Sequence, residues 1–200
     1  MNIICLDLEG VLVPEIWISF SEATGIKELR RTTRDEPDYD KLMRGRIAIL
    51  EQHGLGLPDI QKVIEGMFPL EGASAFLDTL RERTQVILLS DTFDQFAQPL
   101  MRKLGWPTLF CNTLIVDAQG RVTGYKLRQE NGKKHAVESL AKIGFTVTAA
   151  GDSYNDLAML QAASRGFFFR PPAAITEQHP EIPVAHTYQE LLDLLFPRGK

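Results

Sequence analysis

Two acidic residues lie close together in an apolar stretch near the start of the chain. Residues 3–13 read IICLDLEGVLV, in which a single leucine separates Asp7 from Glu9. Burying an unpaired carboxylate costs several kcal/mol even after the surrounding protein relaxes. Something must therefore lie opposite these two side chains, and the rest of the sequence indicates what it is.

Polar side chains also follow two later apolar segments. The segment QVILLS ends at Ser90, directly before Asp91, and TVTAAG ends directly before Asp152. If these segments are parallel strands of one sheet, their carboxyl ends meet at the same edge, where α/β proteins bind their ligands. We therefore expect four acids and a serine to gather at this edge of the sheet.

Several carboxylates at one point repel each other unless a cation lies between them. A hard divalent ion with oxygen ligands, Mg²⁺ before Ca²⁺, suits such a set of few protein ligands completed by water. Asp156, which follows Asp152 by one helical turn, is a further candidate ligand. An acid in the first turn of a helix also interacts favourably with the helix dipole, so capping explains Asp156 equally well.

Two adjacent lysines, Lys133 and Lys134, stand at the start of a predicted helix. The positive end of the helix dipole disfavours cations at this position. We therefore expect one of them to face an anion while the other is solvated. A phosphate group would satisfy Lys133, Ser90, the strand-end amides and a metal ion together.

The elements that carry these residues alternate between strand and helix after Gly72, whereas residues 14–71 contain only helical patterns. Alternating strands and helices predict an α/β fold, a doubly wound and mostly parallel sheet. We expect a catalytic core of residues 1–13 and 73–200, interrupted after the first strand by a helical insert, residues 14–72.

The expected boundaries follow from periodicity and from turn residues. Strands are predicted at 3–8, 85–90, 108–117, 121–127, 146–151 and 165–170, and helices at 16–23, 39–53, 57–68, 73–83, 93–105, 131–144, 154–163 and 187–196. The polar stretch 30–38 is predicted to be a loop. Pro99 should kink its helix or separate the first turn, and Asn131 is a suitable N-cap residue.

Composition narrows the class of protein. The chain has 200 residues, 44% of them hydrophobic, and a formal net charge of -4, so no basic surface indicates a nucleic-acid partner. No signal peptide is recognisable, and no apolar stretch approaches the roughly 20 residues that a membrane helix needs. The two cysteines lie in apolar segments, which indicates two free thiols in the core. Free thiols are typical of proteins in the reducing cytoplasm, so we expect a cytoplasmic protein.

Four motifs together resemble the haloacid dehalogenase superfamily of phosphohydrolases and, within it, the phosphoserine phosphatases. DLEGVLV, LLSD, the lysine of NGKK and GDSYND occur in the order typical of that family. The resemblance implies a Rossmann-like core with a small helical cap. It also implies that Asp7 is the nucleophile, that Lys133 is catalytic, and that Mg²⁺ is bound by Asp7, the backbone carbonyl of Glu9 and Asp152, with Asp156 in the same acidic set.

The first motif departs from the usual family pattern, which has aspartate at both acidic positions. Here Glu9 takes the second position, where the family residue protonates the leaving alcohol and later activates water. Glutamate is longer by one methylene, so the backbone or the substrate must shift to keep Glu9 within hydrogen-bond reach. The stretch DLEGVLVPEIW, residues 7–17, resembles the bifunctional phosphoserine phosphatase/homoserine phosphotransferases.

The resemblance also implies which residues bind the substrate. Arg46 would hold the carboxylate of phosphoserine and Glu15 its ammonium group, although a surface arginine and a first-turn acid are alternative interpretations. Ser90, Asp91, Lys133 and Asn155 would surround the phosphate.

The predicted function is Mg²⁺-dependent hydrolysis of phosphoserine through an aspartyl phosphate, with possible transfer of the phosphoryl group to homoserine. The predicted partner is thus a small-molecule substrate. The alternatives are a phosphatase for another small phosphomonoester, a receiver-like signalling domain that stores phosphate on an aspartate, and a binding protein without activity.

Overall fold

The computed structural model of the chain describes residues 1–33, 35–36 and 38–197. Its strands are β1 (Asn2–Leu6), β2 (Gln85–Phe93), β3 (Thr108–Val116), β4 (Val122–Lys126), β5 (Thr146–Gly151), β6 (Arg165–Phe169) and β7 (Val184–Ala185). Its α-helices are α1 (Ile16–Thr24), α2 (Tyr39–Gln52), α3 (Leu57–Gly66), α4 (Ala73–Arg81), α5 (Asp94–Lys103), α6 (Gly132–Lys142), α7 (Tyr154–Ala162), α8 (Ala173–Gln178) and α9 (Tyr188–Leu195). A short 3-10 helix, Lys27–Arg30, follows α1.

The strands form one seven-stranded sheet in the order β4-β3-β2-β1-β5-β6-β7. Neighbouring strands are parallel except for the antiparallel pair of β3 and β4 at one edge. The chain moves from β1 outward in one direction through β2 and β3, and later continues from β5 on the other side of β1. The predicted α/β, doubly wound and mostly parallel fold is therefore confirmed, and its switch point lies between β1 and β5.

Strand β1 is apolar and buried after Asn2, and both of its faces are covered. Ile4 and Leu6 belong to a cluster formed with residues of α1, α3, α4, α5 and α9. Ile3 and Cys5 belong to a second cluster on the opposite face, formed with residues of α6, α7 and α8. The two clusters hold the central strand rigidly, so the residues that directly follow it have fixed positions.

Among the helices between β1 and α4, α3 packs against α5. Pro99 lies inside α5 and has no N–H for the carbonyl of Gln95, four residues earlier. The side-chain amide of Gln61, on α3, donates to that carbonyl at 3.0 Å. One continuous helix therefore runs through Pro99 instead of the separate first turn considered from the sequence.

Other predictions need correction. Strand β2 does not end at residue 90 but continues to Phe93, with an irregular register against β3 after Leu89. Asn131 precedes α6 but has a left-handed backbone, φ 48°, and its side chain makes no capping hydrogen bond. Asn131 still occupies the predicted N-cap position, where its carbonyl accepts a hydrogen bond from the amide of His135 at 3.0 Å. Its side chain does not cap the helix, because a capping side chain needs extended φ and ψ to reach the helix amides.

Several short elements were not predicted, namely the 3-10 helix, α8 and β7. In the predicted loop 30–38, Arg34 and Pro37 lie outside the described residues. No helix in the described part of the chain combines the length and the apolar character that a membrane crossing requires.

Candidate active site

The ends of β1 and β5 bring two carboxylates together at the switch point. Asp7 follows β1 directly, and its amide continues the strand pairing by donating to the carbonyl of Ala150 at 3.0 Å. Asp152 follows β5 directly, next to β1 in the sheet. Asp7 and Asp152 are 6% and 8% exposed, so both acids lie at the bottom of a cleft.

Two glycines make room for the carboxylates. Gly10 has φ 77°, and a Cβ atom there would lie 2.4 Å from Oδ2 of Asp152. A Cβ atom on Gly151 would lie 2.3 Å from Cγ of Asp156. A larger residue at Gly10 would displace Asp152, and one at Gly151 would displace Asp156, because real Cβ atoms do not approach other atoms so closely. The glycines of the EGV and AGD stretches are therefore part of the site.

Asp156 completes a buried group of three acids. One carboxylate oxygen each from Asp7, Asp152 and Asp156 lies within 4.8 Å of the others. Oδ2 of Asp156 accepts hydrogen bonds from the amides of Asp152 and Ser153 at 3.0 and 3.1 Å and from the Ser153 hydroxyl at 3.1 Å. Asp156 thus caps α7, as one of the two interpretations of the sequence suggested, and also belongs to the acidic group.

Lys133, at the start of α6, extends into this group. Its Nζ lies 2.7 Å from Oδ1 of Asp156, 3.0 Å from Oδ1 of Asp7 and 3.6 Å from Oδ2 of Asp91. Burial alone would lower the pKa of Lys133, but the surrounding carboxylates outweigh it and hold that pKa well above its usual value. Lys133 therefore carries a positive charge, whereas Lys134 is half-exposed and lies 3.7 Å from Glu138.

Lys133 offsets the burial and the repulsion that act on Asp7 only in part. Burial raises the pKa of Asp7 well above its usual value, the nearby charges of Asp156 and Asp152 raise it further, and Lys133 opposes them only in part. An additional cation between Asp7 and Asp152 would relieve this repulsion. Buried carboxylate oxygens are the ligands that a hard divalent ion prefers, so the residues fit Mg²⁺.

The irregular part of β2 presents Ser90 and Asp91. The Ser90 hydroxyl accepts a hydrogen bond from the amide of Thr92 at 3.2 Å. The carbonyl of Asp91 accepts hydrogen bonds from the Tyr39 hydroxyl at 3.2 Å and from the Asn112 side chain at 3.1 Å. These contacts fix the bulged backbone, while the Asp91 carboxylate stays half-exposed beside Lys133.

Glu9 lies apart from the acidic group. Its Oε2 accepts a hydrogen bond from the amide of Ile16 at 2.8 Å, at the start of α1. Burial raises the pKa of Glu9 to about 8, and the negative charge of Glu15 contributes to that increase. A carboxyl with this pKa holds a proton at neutral pH. The Glu9 side chain is absent from the three-acid group described above, so only its backbone remains as the metal ligand that the resemblance implies.

The insert contributes a buried arginine. Arg46 is 7% exposed, and its guanidinium lies over the ring of Trp17 at 4.5 Å. Its Nη2 donates to the carbonyl of Arg31 at 2.7 Å, while its buried Nε has no hydrogen-bond partner. Burial lowers the pKa of Arg46 to about 10, which still leaves it charged. Among the described residues no carboxylate forms an ion pair with it, so an anion from outside the chain would complete its contacts.

These side chains surround one cavity of about 90 Å³, which we call the acidic cavity. It is lined by nearly all of the residues predicted for the site, Asp7, Glu9, Glu15, Arg46, Ser90, Asp91, Lys133, Asp152 and Asn155. Asp156 is fully buried behind this lining. Trp17 and Tyr39 also line the cavity and were not predicted, because aromatic residues in amphipathic helices usually indicate core packing.

Comparison with known proteins agrees with this geometry. The profile described as haloacid dehalogenase-like hydrolase matches residues 1–164. The chain belongs to this hydrolase family. It is 56% identical over 191 residues to a protein of Pseudomonas aeruginosa named phosphoserine phosphatase ThrH, an alignment that covers 96% of the chain and 93% of that protein.

Two further similarities extend the comparison. A protein of Pseudomonas syringae pv. tomato named phosphoserine phosphatase is 55% identical over 96% of this hydrolase and 81% of its own length. The solved structure of a phospho-aspartyl intermediate analogue of phosphoserine phosphatase superposes with a TM-score of 0.79 at 26% identity, covering 96% of this chain and 98% of the other. The predicted resemblance to the phosphoserine phosphatases is thereby confirmed.

Proposed function

We propose that this hydrolase is a Mg²⁺-dependent phosphoserine phosphatase that works through an aspartyl phosphate on Asp7. One observation carries the proposal. The lining of the acidic cavity combines a buried aspartate ion-paired with a lysine and a buried guanidinium that forms no ion pair with a carboxylate of the described residues. Phosphoserine, with a phosphate and a carboxylate on a short carbon chain, matches both groups. The names of the two Pseudomonas relatives support the same substrate.

The first step forms a bond between a carboxylate oxygen of Asp7 and phosphorus, and the bond between phosphorus and the serine oxygen breaks. Lys133 offsets the negative charge as the anionic nucleophile meets the anionic phosphate. Glu9 gives its proton to the departing serine oxygen, for which its raised pKa is suitable. In the second step water attacks phosphorus, its proton returns to Glu9, and the carboxylate of Asp7 is freed.

Mg²⁺ would be held by Asp7 and Asp152, together with the backbone carbonyl of Glu9. When bound, it would supply positive charge that stabilises the transferring phosphoryl group. We assign a supporting role to Asp156, because both of its oxygens already accept hydrogen bonds from Lys133 and from the loop after β5. Asp156 would then hold Lys133 and the main chain of Asp152 in position instead of binding the ion directly.

We propose that residues 14–72 form the cap that reads the amino-acid end of the substrate and that residues 1–13 and 73–200 form the catalytic core. Arg46 would bind the carboxylate through its unpartnered Nε, and Glu15 would bind the ammonium group. Ser90, Asp91, Lys133 and Asn155 would surround the phosphate, since all four line the acidic cavity.

We also propose that an acceptor alcohol such as homoserine can replace water in the second step. Hydrolysis and transfer differ only in which hydroxyl occupies the place that serine has left. The stretch DLEGVLVPEIW, typical of the bifunctional enzymes, supports this proposal. Two cysteines without a disulfide, Cys5 and Cys111, agree with the proposed cytoplasmic location.

The test is a phosphate-release assay over small phosphomonoesters with Mg²⁺, repeated with added homoserine. We expect phosphoserine to be hydrolysed with the highest kcat/KM and homoserine to divert phosphate into phosphohomoserine. A higher kcat/KM for a phosphomonoester without an amino-acid end would favour the alternative substrate class. Stable phosphorylation of Asp7 without turnover would favour the receiver-like alternative.

A further inference from the structure

A second cavity opens beside the acidic cavity, with a volume of about 330 Å³. We call it the cationic cavity. Six residues line both cavities and form the boundary between them, Thr33, Tyr39, Ser90, Asp91, Lys133 and Asn155. This shared boundary contains the side chains proposed above to surround the phosphate. A phosphate bound there is therefore accessible from two sides.

The two cavities differ in charge. Among the described residues, the acidic cavity is lined by five acids, Asp7, Glu9, Glu15, Asp91 and Asp152, and by two cations, Arg46 and Lys133. In the same part of the chain, the cationic cavity is lined by three cations, Arg128, Lys133 and Lys134, and by a single acid, Asp91. The chain as a whole carries a formal net charge of -4, so a locally positive cavity next to the phosphate is not a consequence of composition.

Arg128 is held in place without a carboxylate partner among the described residues. Its amide donates to Oδ1 of Asn112 at 3.0 Å, its Nη2 donates to the carbonyl of Gly132 at 3.1 Å, and its guanidinium lies 5.1 Å from the centre of the Phe110 ring. A guanidinium fixed by neutral groups keeps its full charge for a mobile anion. Lys134, one residue beyond the buried Lys133, adds a half-exposed charge on the same wall, and Glu138, 3.7 Å from its Nζ, lies outside the cavity lining.

We propose that the cationic cavity is an anion site through which inorganic phosphate leaves the enzyme, with Arg128 and Lys134 as its binding groups. The inference rests on the proposed function, because it concerns the phosphate freed from Asp7. The other product, serine, is zwitterionic, and it leaves the enzyme through the part of the acidic cavity that is lined by Arg46 and Glu15. On that side the charge of Glu15 offsets the charge of Arg46, whereas Arg128 and Lys134 attract the dianion towards the cationic cavity.

Because entry and exit follow the same path in opposite directions, exchange of ¹⁸O between labelled inorganic phosphate and water tests the route without any amino acid. Asp7 attacks labelled phosphate, one oxygen leaves as water, and hydrolysis of the aspartyl phosphate introduces an unlabelled oxygen. Steering by charge changes association rates by about 10–10³-fold. In Arg128→Gln/Lys134→Gln we expect kcat/KM for exchange to fall by about tenfold, while kcat/KM for phosphoserine stays within about twofold of the parent.

The matched control is Lys126→Gln/Lys142→Gln, which removes the same charge from exposed positions outside both cavities. Equal exchange in the two double variants would overturn the proposal. Equal losses in exchange and in phosphoserine hydrolysis would also overturn it, because both phosphates would then share one entrance.

Calorimetric titration with inorganic phosphate and Mg²⁺ separates this inference from the proposed function, since it needs no turnover. We expect binding about tenfold weaker in Arg128→Gln/Lys134→Gln than in the control, by the same loss of charge. Identical affinities would contradict the anion site even if phosphoserine is the substrate. A weaker affinity together with no phosphoserine turnover would contradict the proposed substrate and leave the anion site standing.

Discussion

The acidic cavity and the cationic cavity share a wall but are built from different parts of the fold. Side chains of the insert, among them Glu15, Trp17 and Arg46, form one side of the acidic cavity. The cationic cavity takes most of its remaining lining from the stretch between β4 and α6, from the start of α6 and from α7, including Arg128, Lys134 and Tyr154. In the proposed function, residues 14–72 thus contribute the groups that suit an amino acid, and the rest of the chain contributes those that suit a simple anion.

This difference matters because a phosphomonoester becomes two products with different charges. A single narrow cavity would have to release both products through the same acids. Two openings onto one phosphate allow the amino acid and the phosphate to be handled separately. Five measurements compare the two sides, using phosphoserine hydrolysis for the acidic cavity and ¹⁸O exchange of inorganic phosphate for the cationic one.

The largest effect is expected from Asp7→Asn, which removes the proposed nucleophile that both reactions need. An amide cannot attack phosphorus, so phosphoserine hydrolysis and phosphate exchange should both be lost by more than the 10²–10⁴-fold typical of a general acid–base group. Circular dichroism and the unfolding midpoint should stay close to those of the parent. Turnover within tenfold of the parent would remove Asp7 from its role as nucleophile.

Removal of the metal should also abolish both reactions, and added Mg²⁺ should restore them. Binding to the native state alone stabilises a protein by about 2.7 kcal/mol when the ligand is at a hundred times its Kd. Mg²⁺ should therefore raise the unfolding temperature of the parent and leave that of Asp152→Asn nearly unchanged. Full activity after exhaustive chelation, or the same thermal shift in both proteins, would contradict the proposed ion site.

The sequence was sufficient to predict the acids at the strand ends but not the two cavities. Asp7 and Asp152 follow strands that are largely buried, and a run of apolar residues ended by an acid is visible without a structure. Ser90 and Asp91 were found for the same reason, although β2 continues past them. Its irregular register depends on pairing with β3, which no local pattern records.

The walls beyond the strand ends arise from tertiary packing. Trp17 in α1 has the spacing of an ordinary core residue, and only its position beneath Arg46 gives it another role. Arg128 lies in a polar stretch, and its orientation depends on Phe110 and Asn112, which are distant in sequence. The short elements α8 and β7 were not predicted, because they contain too few residues to show the hydrophobic periodicity that indicates a helix or a strand.

Glu9→Gln should separate the chemical steps. Without a proton donor, phosphoserine hydrolysis should fall by about 10²–10⁴-fold, while a nitrophenyl ester, whose leaving group needs no proton, should recover much of the first step. The aspartyl phosphate would then accumulate, because water still lacks its base, and nitrophenol should appear in a burst.

A Mg²⁺ titration of Glu9→Gln is the control for this experiment. Unchanged Mg²⁺ affinity would agree with the backbone carbonyl of residue 9 as the ligand, since the substitution leaves that carbonyl in place. Weaker Mg²⁺ binding without a burst would instead identify the Glu9 side chain as a ligand. Phosphoserine turnover equal to that of the parent would leave the side chain without a catalytic role.

Arg46→Ala should affect only the acidic cavity. Loss of a hydrogen bond to a charged group costs about 1.5–3 kcal/mol, so kcat/KM for phosphoserine should fall by about ten- to 150-fold. Phosphate exchange and hydrolysis of an ester without a carboxylate should change little. Arg44→Ala, on the exposed face of the same helix, is the matched control. Equal losses with both esters would show that Arg46 does not read the carboxylate.

The smallest effect is expected at Trp17, whose ring lies against the guanidinium of Arg46 at 4.5 Å. A cation–π contact is worth about 0.5–2 kcal/mol, so KM for phosphoserine should rise by a few-fold to about thirtyfold in Trp17→Leu. Trp17→Phe keeps an aromatic face and should restore most of the affinity. Neither variant should alter KM for the ester without a carboxylate.

Trp17 also contacts Phe20 and Phe96 edge to face. Its effect on the position of the Arg46 guanidinium must therefore be separated from its contribution to core packing. Phe20→Leu provides that control, since it weakens the same aromatic cluster from a fully buried position outside the cavity lining. If Trp17 positions Arg46, the two leucine variants should lower the free energy of unfolding alike, but only Trp17→Leu should raise KM for phosphoserine. A similar rise in KM in both variants would mean that the ring acts through packing alone.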